Sequence, residues 1–589
     1  MIPLLLPLLI IPLTLFLLVI NVQVNTIHRR YKEYRLNLAR CPQRSAGLFG
    51  WWLIYAVVRS NRDRFYNTKI VDYFTKIRTF IISLGGELVI HTSESENIKA
   101  LLATQFSDYD LGKTRHALLF TLMGDGIFTL DGQKWAHSRA LLRPQFTKER
   151  VSHLSSLERS LQQLMEIARR RVALKGEVDV QELFFMLTMD TATDLLYGES
   201  VDSLGDELEE VMRQQHVIET TNHVTGKSST THVTENVSEK APLLSSKVFH
   251  DNVYGDVGEK AGEKAFSRDQ STKSRESHTS DPHLSVSSVS EDIRKAYPAA
   301  LTTALEFSAM RSKLQRFYWI WGDVLYRHKF HSAINTVHAF SNHFVHQALK
   351  LSPQELQLKS AEKYTFLYEL AQSTRDANAI RDQLINILIA GRDTTAALLS
   401  FVFLCLTANP DKMTKLREAV EADFGSTVDT ITFESLKRCV YLRYVLNEAL
   451  RLCPPVPINM RQANKDTTLP TGGGKNRNEP IFVAKNQIVA YSVLFMHHNQ
   501  NIWGPDASDF RPERWGEADC PKGWEYLPFN GGPRICLGQQ YALTEAGYCI
   551  VRLLQEFDEI EWVDEKGLPV LFKTHITMSL GEGLRVSMK

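Results

Sequence analysis

A single cysteine in a glycine-rich loop has the clearest chemical potential in this sequence. Residues 529–538 read FNGGPRICLG, so Cys536 lies among glycines, a proline and Arg534. The following run, QQYALTEAGYCIVRLLQEF, has the pattern of a helix, and the start of a helix offers unpaired N–H groups and the positive end of the helix dipole. Both features favour the thiolate form of a cysteine. Cys536 is therefore predicted to be a metal ligand or a nucleophile.

The spacing of residues within this loop favours a metal ligand over a nucleophile. The pattern FxxGxRxCxG is filled by Phe529, Gly532, Arg534, Cys536 and Gly538. It resembles the haem-binding loop of the cytochrome P450 monooxygenases, and five matched positions outweigh the alternative that a lone cysteine is a small core residue. The resemblance implies that Cys536 holds the iron of haem b and that Arg534 neutralises a haem propionate. Phe529 is expected to shield the iron–sulfur bond, and the two glycines to let the backbone approach the flat macrocycle.

A polar island interrupts a long apolar segment in the middle of the chain. The segment from about Thr374 to Ala408 is the longest with a helical pattern, and Asn409-Pro410 ends it. Its centre reads GRDTT and matches the (A/G)GxDTT motif of the oxygen-activating helix of cytochromes P450. A threonine bonded to its own helix carbonyl is common, but that alternative does not account for the acid. The resemblance implies that Asp393 and Thr394 relay protons and that Gly391 helps the helix to bend.

Two pairs of residues at helical spacing gain meaning from the same resemblance. Trp135 and Arg139 stand four residues apart and share one helix face. In the family such a pair reaches a haem propionate. Glu448 and Arg451 stand three apart, a spacing that on its own more often marks a solvated face. Arg514 in the segment FRPERW supplies the third member of the Glu-Arg-Arg network that the resemblance implies beneath the haem loop.

The segment VPINMR is expected to contribute to both faces of the haem. The resemblance implies that Val456 and Ile458 lie on the substrate side and that Arg461 is a further propionate ligand. A related lipid-hydroxylating branch carries a glutamate that forms an ester with the haem. The apolar run Leu384 to Ile389 has no glutamate, so we do not expect such an ester here.

The resemblance covers most of residues 80–589 and implies the cytochrome P450 fold, which is mainly α with small β-sheets. The sequence agrees with this fold. Residues 78–92 contain two β-branched, apolar runs around a Gly-Gly pair, a pattern typical of a hairpin. Further strands are expected around residues 481–491.

The N-terminal residues predict a transmembrane helix. Residues 2–22 are almost wholly apolar, which is long enough to cross a bilayer core of roughly 30 Å. Six basic residues follow between positions 29 and 44, opposed only by Glu33. A secretory signal would carry its basic residues before the apolar run and a small-residue cleavage site after it. We therefore expect a retained single-pass anchor in the endoplasmic reticulum membrane, with the catalytic domain facing the cytosol; the alternative is a cleaved signal peptide.

Composition divides the 589 residues into three parts. We predict a membrane anchor at 1–24, a basic juxtamembrane and linker segment at 25–77, and a catalytic domain at 78–589. An insertion at about 220–292 is rich in polar and charged residues without a sustained period, as is typical of disordered segments. It is either a genuine surface loop or a translated intron. Transcript sequencing separates the two, because a spliced message lacking these codons would remove the segment.

Finer resemblance indicates the substrate class. Residues 124–146, 467–474, 489–498 and 509–515 look like the fungal branch that hydroxylates long-chain n-alkanes and fatty acids at or near the terminal carbon. The alternatives are a monooxygenase of xenobiotics or sterols, or a haem-binding protein that does not oxygenate. The acid-hydroxyl motif argues against haem-thiolate enzymes that only isomerise or dehydrate, because these often lack it.

The expected partners follow from the same reading. No flavin or dinucleotide fingerprint is present, so electrons are expected from NADPH-cytochrome P450 reductase, with cytochrome b5 as a second candidate donor. The other partners are dioxygen, a hydrophobic small-molecule substrate and membrane lipid. The net charge of +1 gives no reason to expect nucleic acid, and seven irregularly spaced cysteines do not form a disulfide framework.

Overall fold

The computed structural model describes most of the chain. The described ranges are 2–45, 50–60, 73–146, 155–225, 290–314, 317–563 and 570–589. The insertion predicted at about 220–292 lies almost entirely outside them, as does part of the predicted linker. Contacts divide the chain into a large unit, Met1–Gln214 with Ser288–Lys589, and a small unit, Gln215–Ser287. The candidate site belongs to the large unit.

Helices account for most of the described residues. They are α1 Ile2–Arg35, α2 Trp51–Ser60, α3 Ser95–Lys99, α4 Gly112–Met123, α5 Gly132–Leu142, α6 Ser155–Lys175, α7 Val180–Tyr197, α8 Ser203–Thr225, α9 Glu291–Leu314, α10 Arg327–Lys350, α11 Pro353–Glu362, α12 Phe366–Ser373, α13 Ala377–Thr407, α14 Pro410–Phe424, α15 Phe433–Arg438, α16 Val440–Leu452, α17 Val493–His497, α18 Gln500–Trp503 and α19 Gln539–Glu556.

The strands are short and form small sheets. They are β1 Thr79–Leu84, β2 Glu87–Thr92, β3 Tyr109–Asp110, β4 Val178–Asp179, β5 Ile458–Ala463, β6 Thr467–Gly473, β7 Glu479–Val483, β8 Ile488–Ser492, β9 Ile560–Trp562, β10 Phe572–Thr574, β11 Met578–Leu580 and β12 Arg585–Met588. Five of them form a sheet in the order β1-β2-β8-β5-β3, and the others form the sheets β10-β11, β4-β12-β9 and β6-β7. The predicted mainly α class with small sheets is confirmed.

The predicted hairpin is present at the edge of the five-stranded sheet. Strands β1 and β2 are antiparallel, with Thr79 opposite Thr92 and Leu84 opposite Glu87. Gly85 and Gly86 form the turn, and both have positive φ angles. Glycine meets this requirement without steric cost, so the Gly-Gly pair fixed the position of the turn.

The long helix α13 runs through the centre of the fold. Asp376 caps its start by accepting hydrogen bonds from the N–H groups of Asn378 and Ala379. Its length and apolar composition would allow it to cross a membrane, yet most of its side chains are buried in the protein. It packs against α7, α10, α16 and α19. It is therefore the core helix that the sequence predicted between Thr374 and Ala408.

The N-terminal helix α1 is continuous from Ile2 to Arg35, so the boundary predicted between residues 24 and 25 is not a break in the helix. Its second half contacts the sheets. Asn21 donates a hydrogen bond to the Gly86 carbonyl at 2.9 Å. Arg29, the first of the six basic residues after the apolar run, is buried and pairs with Glu33 at 2.8 Å. Burial of a guanidinium requires such partners, and the Phe482 carbonyl supplies another at 2.6 Å.

The cysteine-containing loop at residues 529–538 is pressed against the helical turn Ala100–Thr104 that follows α3. Gly532 has a φ of +67°, and a Cβ atom there would overlap the Leu102 carbonyl oxygen. The sequence suggested that Gly532 makes room for a macrocycle. The structure gives another reason, since the glycine lets two protein backbones approach each other.

Gly532→Ala is expected to destabilise the fold. The substitution adds a strained φ angle and a collision with backbone that cannot rotate away, together about 2–5 kcal/mol of unfolding free energy. Gly523→Ala is the matched control, because Gly523 has a φ of +65° and nothing within 4 Å of its Cβ position. That control should lose only about 1–2 kcal/mol. Thermal unfolding of both variants compares them, and equal losses would contradict the close approach.

Candidate active site

The cysteines differ sharply in exposure. Six of the seven are buried, whereas Cys536 is exposed. Its backbone N–H donates to the Phe529 carbonyl at 3.0 Å and closes the loop. The Cys536 side chain is accessible but has protein on most sides, and this partial loss of water raises the pKa of its thiol, while the Gly538 N–H and Arg139 lower it. The surrounding protein therefore outweighs the effect predicted from the helix start, and a cation bound at the sulfur would favour the thiolate.

Other residues of the loop are held by the protein around it. Phe529 is half-buried and packs against the largest hydrophobic cluster. Asn530 has a φ of +64°, and its Oδ1 accepts a hydrogen bond from the Tyr491 hydroxyl at 3.1 Å. A Cβ atom at Gly538 would meet only Phe146, at an ordinary contact distance of 3.5 Å. Among the described residues the protein thus leaves room beside Gly538.

The helix α5 and the loop meet around Trp135. Arg534 lies with its Cζ 4.2 Å from the centroid of the buried indole, and it donates to Asp131 Oδ1 at 2.7 Å. Arg139 lies 5.8 Å from the same indole, which confirms that the two helix residues share a face. Its Nη1 donates to the carbonyl of Ile535 at 3.0 Å. The three predicted propionate contacts of α5 and the loop are therefore together, directly beside the cysteine.

The sequence missed a further arginine in this region. Arg115 on α4 donates from Nη1 to Asn459 Oδ1 at 2.9 Å and from Nε to the Phe128 carbonyl at 3.0 Å. It lines a small pocket together with Arg461. Burial, with Arg461 as the second cause, lowers the pKa of Arg115 to about 10. Nothing in the segment GKTRHALLFTLM distinguishes this arginine from a solvated one, because its partners come from distant parts of the chain.

The arginines form a cluster that is short of negative charge. Burial and the neighbouring Arg461 lower the pKa of Arg534 to about 10, although Asp131 opposes the shift. The buried Arg461 leaves its Nε without a hydrogen-bond partner among the described residues. Guanidinium groups bind carboxylates in a planar, bidentate manner. The two propionates of haem would supply the missing anions, so the residues present fit this group.

Glu448, Arg451 and Arg514 form a buried network next to the loop. Arg451 donates to both carboxylate oxygens of Glu448, at 2.8 and 2.9 Å. Arg514 donates to the same carboxylate at 2.9 Å, and the indole N–H of Trp515 donates at 3.0 Å. Arg451 also donates to the Ala507 carbonyl. The structure thus brings the three residues of the sequence-predicted network together.

Asp393 and Thr394 on α13, predicted to act as a pair, do not contact each other through their side chains. Asp393 is buried and bonded to Arg392 at 2.9 Å, while Thr394 donates to the Ala390 carbonyl at 2.6 Å. Adjacent helix residues point about 100° apart, so the acid and the hydroxyl do not meet. Burial raises the pKa of Asp393, and Arg392 lowers it. Arg392, which the sequence did not single out, also donates to Thr302 on α9 at 3.1 Å.

Three predicted residues, Gly391, Val456 and Ile458, are not fully packed against other parts of the protein. A Cβ atom at Gly391 would meet nothing within 4 Å. Val456 is half-buried, and Ile458 at the start of β5 is 38% exposed. Apolar surface of this kind suits contact with a hydrophobic ligand.

Comparison with known proteins decides the family. Residues 46–233 and 295–579 match the family model for cytochrome P450. The chain belongs to the cytochrome P450 family. It is therefore a haem b monooxygenase of the kind whose iron is held by a cysteine thiolate. As a member of this family it uses dioxygen and an external redox partner, and it acts on a hydrophobic substrate.

Curated relatives match nearly the whole cytochrome P450 chain. Cytochrome P450 52A12 of Debaryomyces hansenii is 41% identical over 561 residues, covering 94% of this chain and 92% of the relative. Cytochrome P450 52A5 of Candida maltosa is 41% identical and covers 92% and 89%. Cytochrome P450 52A1 of Candida tropicalis is 42% identical and covers 87% and 80%. The family model leaves residues 234–294 unmatched, a range that overlaps the predicted insertion.

Glu448→Ala is expected to destabilise the fold of this cytochrome P450 around the cysteine loop. It leaves two buried guanidinium groups without their shared carboxylate, at a cost of about 3–5 kcal/mol. Thermal unfolding and haem content of the purified protein measure the effect. Glu291→Ala is the control, because Glu291 pairs with Lys295 on the exposed surface of α9. A Glu448→Ala protein as stable as this control would contradict the structural role of the network.

Proposed function

We propose that this chain hydroxylates long-chain n-alkanes or fatty acids at or near the terminal carbon. Electrons would come from NADPH through NADPH-cytochrome P450 reductase, with cytochrome b5 as a second candidate donor. The exposed Cys536 beside the arginine cluster is the single observation that carries the haem assignment. The substrate class is supported by the resemblance of residues 124–146, 467–474, 489–498 and 509–515 to the alkane- and fatty acid-hydroxylating branch.

Each residue of the site then has a distinct task in holding the haem. Cys536 would hold the iron through its sulfur, and Phe529 would exclude water from that sulfur. The propionates would be held by Trp135, Arg139, Arg461 and Arg534, with Arg115 as an addition to the sequence prediction. Thiolate-bound haem supplies dioxygen activation and hydroxylation of an unactivated C–H bond.

Asp393 and Thr394 on α13 transfer protons to the site in this proposal. The Thr394 hydroxyl donates a hydrogen bond to the Ala390 carbonyl. From this position it can relay a proton between water molecules next to the helix. Asp393 is the acid behind it, since burial favours its protonated form. Arg392 opposes this effect and fixes the carboxyl group through a 2.9 Å bond. Because the two side chains do not touch, water must connect them.

The anchor is part of the same proposal. Residues 1–24 would cross the endoplasmic reticulum membrane once, with the catalytic domain in the cytosol. The apolar run 2–22 supports this, as do the exposed apolar side chains of Val24 and Ile27 farther along α1. Docking of α1 through Asn21 would hold the catalytic domain near the bilayer, where alkanes and fatty acids partition.

A reconstituted assay tests this function. The full-length protein in lipid vesicles with NADPH and the reductase should convert dodecane or lauric acid to a hydroxylated product. Cys536→Ala should form none, whereas Cys520→Ala should retain turnover, because Cys520 is buried outside the site. Product from Cys536→Ala would refute the ligand assignment. Product from a sterol or xenobiotic panel, with none from either lipid, would refute the substrate class.

Thr394→Ala is expected to uncouple electron consumption from product formation. Without the hydroxyl, NADPH is still consumed but peroxide is released, and product per NADPH falls about 10-fold or more. Thr407→Ala is the matched control, since Thr407 donates to its own helix carbonyl at Phe403 in the same way, at 2.8 Å. Measuring NADPH, peroxide and product together compares them. Unchanged coupling in Thr394→Ala would place the proton route elsewhere.

A further inference from the structure

The ring of His497 lies directly beneath the start of the cysteine loop. His497 is the last residue of α17 and is completely buried. Its Nε2 accepts a hydrogen bond from the backbone N–H of Leu527 at 2.9 Å. Leu527 lies two residues before Phe529, whose carbonyl accepts the N–H of Cys536. The imidazole is therefore bonded to the base of the closed loop that carries the sulfur.

The backbone of His497 is hydrogen-bonded to the buried network of Glu448, Arg451 and Arg514. Its carbonyl accepts a hydrogen bond from Arg451 Nη1 at 2.9 Å, and Arg451 is paired on its other side with Glu448. One residue thus receives a bond from the network through its carbonyl and a bond from the loop through its ring. A chain of hydrogen bonds runs from Glu448 through Arg451 and His497 to Leu527.

The ring is suited to accept this bond permanently. Accepting an N–H at Nε2 puts the ring proton on Nδ1, and a protonated imidazolium could not accept at all. Burial, followed by the charges of His498 and Arg451, lowers the pKa of His497 to about 3. Tyr526 and Trp503 flank the ring, with centroids 5.3 and 6.2 Å away. The imidazole is therefore neutral at physiological pH and confined by its neighbours.

We propose that His497 is a positioning residue for the cysteine ligand. By accepting the Leu527 N–H, His497 connects the loop to the Glu448–Arg451 pair. The inference rests on the proposed role of Cys536. A buried N–H needs an acceptor, and within the described residues the ring of His497 is the acceptor of Leu527. Without it, the base of the loop would open and the sulfur would move away from the place where it can bind the iron.

The test compares three variants of the full-length, haem-loaded protein. His497→Phe keeps an aromatic ring but removes the acceptor, and His497→Gln offers an amide oxygen instead. His91→Phe is the matched control, because His91 is also buried among aromatic rings, and neither of its ring nitrogens has a hydrogen-bond partner among the described residues. The readouts are amide hydrogen exchange at Leu527 and the spectrum of the reduced, carbon monoxide-bound protein.

The expected results separate positioning from general destabilisation. His497→Phe should speed exchange at Leu527 about 10-fold or more and shift part of the spectrum from the thiolate form to one without sulfur ligation. His497→Gln should restore part of both, and His91→Phe should match the wild type. Equal effects of His497→Phe and His91→Phe, or none from His497→Phe, would overturn the proposal.

Two further outcomes keep the inference decidable. If His497→Phe does not fold, the wild type alone decides, since Leu527 must then exchange more slowly than neighbouring loop amides; exchange as fast as theirs would overturn the proposal. A wild-type protein without the thiolate spectrum would instead refute the role of Cys536. A wild-type protein with that spectrum, unaltered in His497→Phe, would refute only the role of His497.

Discussion

The carboxylate of Glu448 is completely buried and accepts hydrogen bonds from Arg451, Arg514 and the indole of Trp515. A buried charge is costly unless every partner is in place, so this group dictates the positions of α16 and of the segment around residue 514. Arg451 in turn bonds to backbone carbonyls, including that of His497. The irregular chain that leads to the cysteine loop is thereby fixed by polar contacts rather than by regular secondary structure.

The same loop must satisfy two opposing requirements. Its backbone has to be hydrogen-bonded within the protein, while its sulfur has to remain accessible. The bond from Cys536 N–H to the Phe529 carbonyl and the close approach of Gly532 to Leu102 meet the first requirement. The exposure of the Cys536 side chain meets the second. The protein around this accessible sulfur raises the pKa of the thiol, so binding of a metal cation and formation of the thiolate would be coupled.

The arginine cluster couples cofactor binding to stability in a second way. Arg461 lies close enough to Arg115 and Arg534 to lower the pKa of both guanidinium groups. An anionic ligand that relieves this repulsion binds the folded state alone, and such a ligand stabilises the fold by mass action. Binding of haem would therefore stabilise this region electrostatically, in addition to supplying its chemistry.

Sequence reasoning succeeded where a pattern lies within one element. Residue spacing located the hairpin at Gly85-Gly86, the core helix α13, and the shared face of Trp135 and Arg139. The Glu-Arg-Arg network also came from sequence, but through family resemblance, because its third member lies 66 residues from Glu448.

Contacts between distant elements were missed for the same physical reason. Arg115 and Asn459 are 344 residues apart, and Arg392 reaches Thr302 across 90 residues. Periodicity carries no information about such pairs. The burial of Arg29 was likewise hidden, since a basic run after an apolar segment is as typical of a solvated flank as of a docked helix. The close approach of Gly532 to Leu102 was missed because Leu102 lies in a distant segment of the chain.

The most direct test of this account is the absorbance of the purified, haem-loaded protein after reduction and addition of carbon monoxide. If Cys536 binds the iron as a thiolate, the Soret band must shift to the red position peculiar to sulfur-ligated haem. A folded, haem-loaded sample that never shows this band would contradict the account.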